Sequence, residues 1–160
     1  MNAEPQQEHR WLQRLVGEWA YESECSMGPD KPPETFRGTE TVRSIGGLWV
    51  VCEGRGEMPG GGIATTMMTL GYDPARQRFV GTFIGSMMTH LWVYDGGLDA
   101  AGTALTLDTE GPNFGVPGAL AKYQDVIEWQ GDDHRVLSSQ TPGPDGRWHT
   151  FMTAHYRRVK

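Results

Sequence analysis

From Trp19 to Arg158 the chain repeats one pattern: short runs in which large apolar residues alternate with small or polar ones, broken by clusters of Gly, Pro and Asp. Successive side chains of a strand point to opposite faces, so this two-residue period specifies half-buried strands. About ten such runs occur, and only one segment has a helical period. The gaps between runs are short, which requires antiparallel neighbours, because a parallel crossover takes a dozen or more residues. The expected fold class is therefore all-β. It is a single closed antiparallel up-and-down β-barrel of about ten strands with a short N-terminal helix. One domain is expected over 1–160, with the helix at about 5–16 and the barrel at about 18–158. A chain of this length buries roughly two-thirds of its unfolded surface and needs no disulfide to fold.

Trp11, Leu12, Leu15 and Val16 fall on one helical face, and Gly17 stops the helix. That apolar stripe needs a partner, and one end of a barrel supplies it. The expected strands are Trp19–Met27, Thr35–Ile45, Leu48–Met58, Ile63–Tyr72, Gln77–Gly85, Met88–Tyr94, Thr103–Glu110, Lys122–Trp129, His134–Thr141 and Arg147–Arg158. Gly46-Gly47, Gly60-Gly61-Gly62, Asp73-Pro74-Ala75-Arg76, Asp95-Gly96-Gly97, Asp99–Gly102 and Pro142–Gly146 read as turns. Thr35–Ile45 has Arg37, Thr39, Thr41 and Arg43 on one face, and its buried face stays open. Gly111–Leu120 has no period and is a candidate lid.

The formal charge of −6 and pI near 5.3 argue against nucleic acid and anionic membrane surfaces, which attract clustered Lys and Arg. No run approaches the ~20 apolar residues of a membrane span, and residues 1–5 lack the basic and apolar pattern of a secretory signal. The expected location is the cytoplasm, where Cys25 and Cys52 act as small hydrophobes. Gly54-x-Gly56 and Gly60-Gly61-Gly62 lack the remaining residues of nucleotide-binding loops, and no Gly-x-Ser-x-Gly elbow exists. His149 and His155 are six residues apart on one strand, ~20 Å, too far to share a metal. No cofactor is expected.

Gly17-Glu18-Trp19 after a short helix resembles the Gly-x-Trp opening of lipocalin and calycin barrels. In those proteins the Trp plugs one barrel end and a basic residue of the last strand packs over it. Arg157 or Arg158 fills that place here. The ordered series Leu15-Val16-Gly17-Glu18-Trp19, Gly46-Gly47-Leu48-Trp49, Leu70-Gly71-Tyr72-Asp73-Pro74 and Tyr156-Arg157-Arg158 resembles a bacterial family of lipocalin-like domains, domain of unknown function 1579. The resemblance implies a roughly ten-stranded barrel and no particular activity. Nitrobindins are a related barrel type that binds haem through one late histidine. His155 or His149 would occupy that place, although the surrounding pattern does not match.

Parity places Trp19, Tyr21, Met27, Trp49, Met68, Phe79, Phe83, His90, Trp92, Tyr94, Leu105, Leu107, Tyr123, Ile127 and Trp129 inside. A slip of one residue would reverse any strand. Trp49 shares its parity with Glu53, Arg55 and Glu57, which form either a polar patch at one mouth or an exposed charge run. Few charges fall in the inward set, so the expected partner is a small apolar or aromatic molecule. The candidate ligand-binding residues are Tyr21, Trp49, Met68, His90, Trp92, Tyr94, Tyr123 and Trp129. A second reading is a cyclase or isomerase using His90, Tyr94 and Tyr123. A third is a packed structural barrel that forms a homodimer.

Overall fold

A computed structural model describes residues 2–160. Helix α1 (Gln7–Gln13) precedes ten strands. They are β1 (Gly17–Cys25), β2 (Glu34–Ile45), β3 (Trp49–Glu57), β4 (Ile63–Asp73), β5 (Arg78–Gly85), β6 (Trp92–Leu98), β7 (Ala104–Pro112), β8 (Leu120–Gly131), β9 (His134–Pro142) and β10 (Trp148–Arg158). Each strand pairs antiparallel with its neighbour in sequence, and β1 closes on β10. Closure gives every strand a partner on both sides.

The up-and-down order puts α1, the C-terminus and four hairpin connections at one end. The five connections after β1, β3, β5, β7 and β9 lie at the other. The helix end is solid. Trp11, Leu12 and Leu15 are buried there, and Trp11 Nε1 donates to the Gly102 carbonyl at 2.7 Å. The Trp11 ring meets Phe79 and Trp129 edge-on, both at 6.2 Å. A seven-residue helix is marginal alone, so this packing is what holds it. The helix is shorter than its apolar stripe, because Leu15 and Val16 belong to the turn into β1.

Trp19 is 1% exposed and donates its indole N–H to the Leu15 carbonyl at 2.8 Å. The Arg158 guanidinium lies 4.3 Å from that ring and donates to the carbonyls of Val16 and Arg14 at 2.8 and 2.9 Å. Arg158 rather than Arg157 covers Trp19, since alternation turns Arg157 outward. A second guanidinium, that of Arg135, sits 4.6 Å from the same ring.

Three sequence expectations change. Asp95-Gly96-Gly97 is no turn but the second half of β6. A Cβ on Gly96 would lie 2.2 Å from the Thr106 carbonyl oxygen, so glycine here serves close strand packing. The expected strand at Met88 starts only at Trp92, and residues 86–91 form the connection from β5. Trp49 faces outward, 42% exposed, with its ring over Gly71 of β4. The inward face of β3 is Val50, Cys52, Gly54 and Gly56, and the charged Glu53, Arg55 and Glu57 share the outer face with Trp49. On β2 the inward residues are Phe36, Gly38, Glu40 and Val42.

Candidate functional site

The barrel interior divides into a floor and an upper half. The floor is filled by fully buried side chains, Trp19, Val50, Leu70, Leu105 and Ile127 among them, with Tyr72 and Leu98 half-buried at its edge. Toward the other end, Tyr21, Phe36, Phe83, Asp125, Leu137 and Met152 point inward yet keep accessible surface. These side chains are covered less completely than those of the floor.

Aromatic residues frame that mouth. Trp92 of β6 stands edge-on to Tyr123 of β8 at 5.2 Å and to His90 at 4.8 Å. Its indole N–H donates to Met88 Sδ at 2.9 Å. Gly111 of β7 makes room for it, since a Cβ there would fall 2.2 Å from the indole ring. Tyr123 donates its hydroxyl to the Pro112 carbonyl at 2.6 Å. The rings of Phe114 and Phe151 lie 6.4 and 6.1 Å from Tyr123. A bulge between Thr150 and Met152 accommodates Phe151. Phe114, at the tip of the β7–β8 connection, is 71% exposed. Tyr21 occupies a slot made by Gly38 and Gly56, where added Cβ atoms would come within 2.3 and 1.9 Å of its hydroxyl.

Below the mouth lies a polar tier. The Asp125 carboxylate accepts from the Tyr94 hydroxyl at 2.5 Å and from the Ser139 hydroxyl at 2.6 Å. Burial pushes the Asp125 carboxyl above its usual range, opposed by these two hydrogen bonds. Burial, reinforced by the Asp125 charge, pushes the Tyr94 hydroxyl well up. The Thr109 hydroxyl oxygen is buried with no hydrogen-bond partner among the described residues. Deeper still, Arg135 pairs with Glu40 and stacks 4.0 Å from the Tyr156 ring.

The candidate residues thus separate. Tyr21, Met68, Trp92, Tyr94 and Tyr123 face the interior, His90 sits at the mouth, Trp129 belongs to the floor and Trp49 lies outside. The candidate acid–base trio is not one constellation. His90 Nε2 contacts the Glu110 carbonyl at 3.0 Å, Tyr94 bonds Asp125, and Tyr123 bonds Pro112. Nor do the late histidines reach the interior: His155 is exposed on the outer wall against His134 at 2.9 Å, and His149 bonds Asp145 in the β9–β10 connection at 2.9 Å. Among the described residues no three or more His, Cys, Asp or Glu side chains are grouped to hold a metal.

The sequence reading missed Glu40, Asp125, Arg135 and Ser139. Asp125 shares the parity of Tyr123 and Ile127, and Arg135 and Ser139 share that of Leu137, so the signal was present. Reading the inner face by apolar residues alone hid it. A groove of about 740 Å³ also runs along the outer wall of β1, between β2 and β10. Its charged lining alternates Glu22 and Glu24 with Arg37 and Arg157, so no single charge converges there. Among the described residues no helix is long and apolar enough to cross a membrane.

A family model described as a protein of unknown function (DUF1579) matches residues 4–158. No curated protein matches the chain significantly. The fold is similar to that of Rv2717c from M. tuberculosis, with 13% identity, TM-score 0.63, and 98% and 100% of the two chains covered. It is also similar to the S-type phycobiliprotein lyase CPES from Guillardia theta, with 14% identity, TM-score 0.60, and 98% and 99% covered. The barrel EF1p2_mFAP2b, solved bound to DFHBI, matches at 14% identity and TM-score 0.50, with 94% and 98% covered. At these identities the likeness is one of fold.

Proposed function

The chain belongs to the DUF1579 family of unknown function, and from that premise we propose that its barrel binds a small, largely apolar or aromatic molecule through the open mouth. The observation that carries this reading is the contrast along the barrel axis. A packed floor supplies stability, while inward side chains above it retain accessible surface under an aromatic rim. Apolar cavities with a few placed polar groups are the general form of small-molecule sites. Tyr21, Met68, Trp92, Tyr94 and Tyr123 line it, His90 stands at its rim, and Phe114 is its exposed edge. That the similar barrel EF1p2_mFAP2b was solved bound to DFHBI supports the same reading.

The experiment is uptake of the neutral fluorophore Nile red. Trp92 and Val93 are sequence neighbours on opposite faces, one buried at the mouth and one 60% exposed on the outer wall. Trp92→Asp should lower Nile red affinity at least about tenfold, whereas Val93→Asp should leave it unchanged. Equal loss in both, or no uptake by the parent protein, overturns the reading. Native mass spectrometry of freshly purified protein should show an adduct of small-molecule mass.

A further inference from the structure

The barrel interior holds ionisable side chains. Glu40, Asp125 and Arg135 lie within it, and Arg158 closes the floor over Trp19, paired with Asp133 at 2.9 Å. Arg135 is committed to Glu40, with its guanidinium held against the rings of Tyr156 and Trp19. That leaves Asp125, whose partners are two neutral hydroxyls. When it is ionised, the interior carries one uncompensated negative charge. A carboxylate has about four lone-pair sites, and Tyr94 and Ser139 use only two. The Thr109 hydroxyl, also without a partner among the described residues, is the next inward position of β7 above Leu107, which pairs with Asp125. A buried polar atom left unpaired costs roughly 1–3 kcal/mol, so an arriving hydrogen-bonding group gains from meeting it.

Depth decides which charge a ligand meets. On β9 the inward residues run Ser139, Leu137, Arg135 from the mouth downward, and Ser139 is the one bonded to Asp125. A ligand descending from the Trp92–Tyr123 rim reaches Asp125 before it reaches Arg135. Arg135 has an unpaired buried Nε, which on its own would favour an anion, but it lies beneath this tier.

We propose that the barrel selects ligands with an apolar body and a cationic or N–H-donating head, seated on Asp125 and Thr109, and discriminates against carboxylates. This rests on the reading that the mouth admits an apolar molecule. The physical reason is the sign of the charge. An ammonium or ring N–H fills the free lone pairs of Asp125, whereas a carboxylate brought into the same enclosed space sets two like charges together.

The test is displacement of bound Nile red, near neutral pH, by three probes of one chain length: dodecylamine, dodecanol and dodecanoate, each kept below its aggregation limit. The amine should displace the dye at about a tenfold lower concentration than the carboxylate, with the alcohol between them. Asp125→Asn should bring amine and carboxylate to near equality, each displacement being read against that variant's own Nile red affinity. Thr109→Val, a near-isosteric change, should weaken the alcohol by a few fold and keep the order of the other two. An order with dodecanoate equal to or ahead of dodecylamine in the parent protein overturns the inference and points to Arg135 as the governing charge. Absence of Nile red uptake refutes the underlying binding reading instead. The parent protein alone therefore decides the question, whatever the folding of the variants.

Discussion

The two ends of this barrel are built from the same kind of strand and serve opposite ends. At the helix end, Trp19 lies against Arg158 at 4.3 Å and Arg135 at 4.6 Å, and Trp11, Leu12 and Leu15 complete a floor. At the other end Trp92 is held by Met88 and His90 and Tyr123 by the Pro112 carbonyl, while Phe114 and Phe151 rest on Tyr123 and Phe114 is mostly solvent-exposed. Cation–π contacts and carbonyl-bonded guanidinium groups make the floor rigid because each member has several fixed partners. Phe114 and Phe151 lack such fixed partners. The floor is therefore held at more points than the outer edge of the mouth.

Three measurements would break or sharpen that contrast. The largest effect is expected at the floor. Trp19→Ala should cost about 3–5 kcal/mol, the range for truncating a buried aromatic residue, and urea unfolding would show it as a lower midpoint. A loss below about 1 kcal/mol would mean that the floor does not anchor the barrel.

The next effect belongs to the polar tier and has a definite sign. Burial holds the Asp125 carboxyl above its unfolded value, so the folded protein binds that proton more tightly than the unfolded chain does. The contribution to stability is full below about pH 4 and is lost as pH rises through the raised folded value. Asp125→Asn removes that loss. Its melting temperature should exceed the parent's near neutral pH, and the two should converge as pH falls toward about 4. A variant less stable at neutral pH would show that the bonds from Tyr94 and Ser139 outweigh the cost of the buried charge. A gain in stability with a loss of ligand discrimination is the trade expected of a binding residue.

The smallest effect on folding is expected at the rim. Phe114→Ser should change unfolding free energy by no more than about 0.5 kcal/mol, because an exposed loop side chain gives up little burial. Nile red affinity should nevertheless fall a few fold. A large stability loss with unchanged affinity would reverse the assignment of the two ends.

Much of the architecture was legible in the chain. Strand alternation, glycine-rich turns and Gly17-Glu18-Trp19 give a closed ten-stranded antiparallel barrel with one helix, as observed. The departures have one common source. Asp95-Gly96-Gly97 looks like a turn because glycine permits turns, but in β6 its role is to let Thr106 approach. Trp49 looks interior because it is large and apolar, but an aromatic ring over Gly71 covers an outer wall equally well. A local pattern reports which residues share a face; it does not report which face closes inward when charged and aromatic residues mix on one strand.

The sequence by itself determined the strand period, the connections and hence the closed barrel, because those depend on neighbours in the chain. It also determined the floor, since an apolar stripe just before Gly17-Glu18-Trp19 has one place to be buried. Only the tertiary structure decided the interior chemistry. Glu40 and Arg135 are 95 residues apart, and Tyr94 and Asp125 are 31 apart. Their meeting is set by barrel registers accumulated over several strands, and no local pattern encodes that sum.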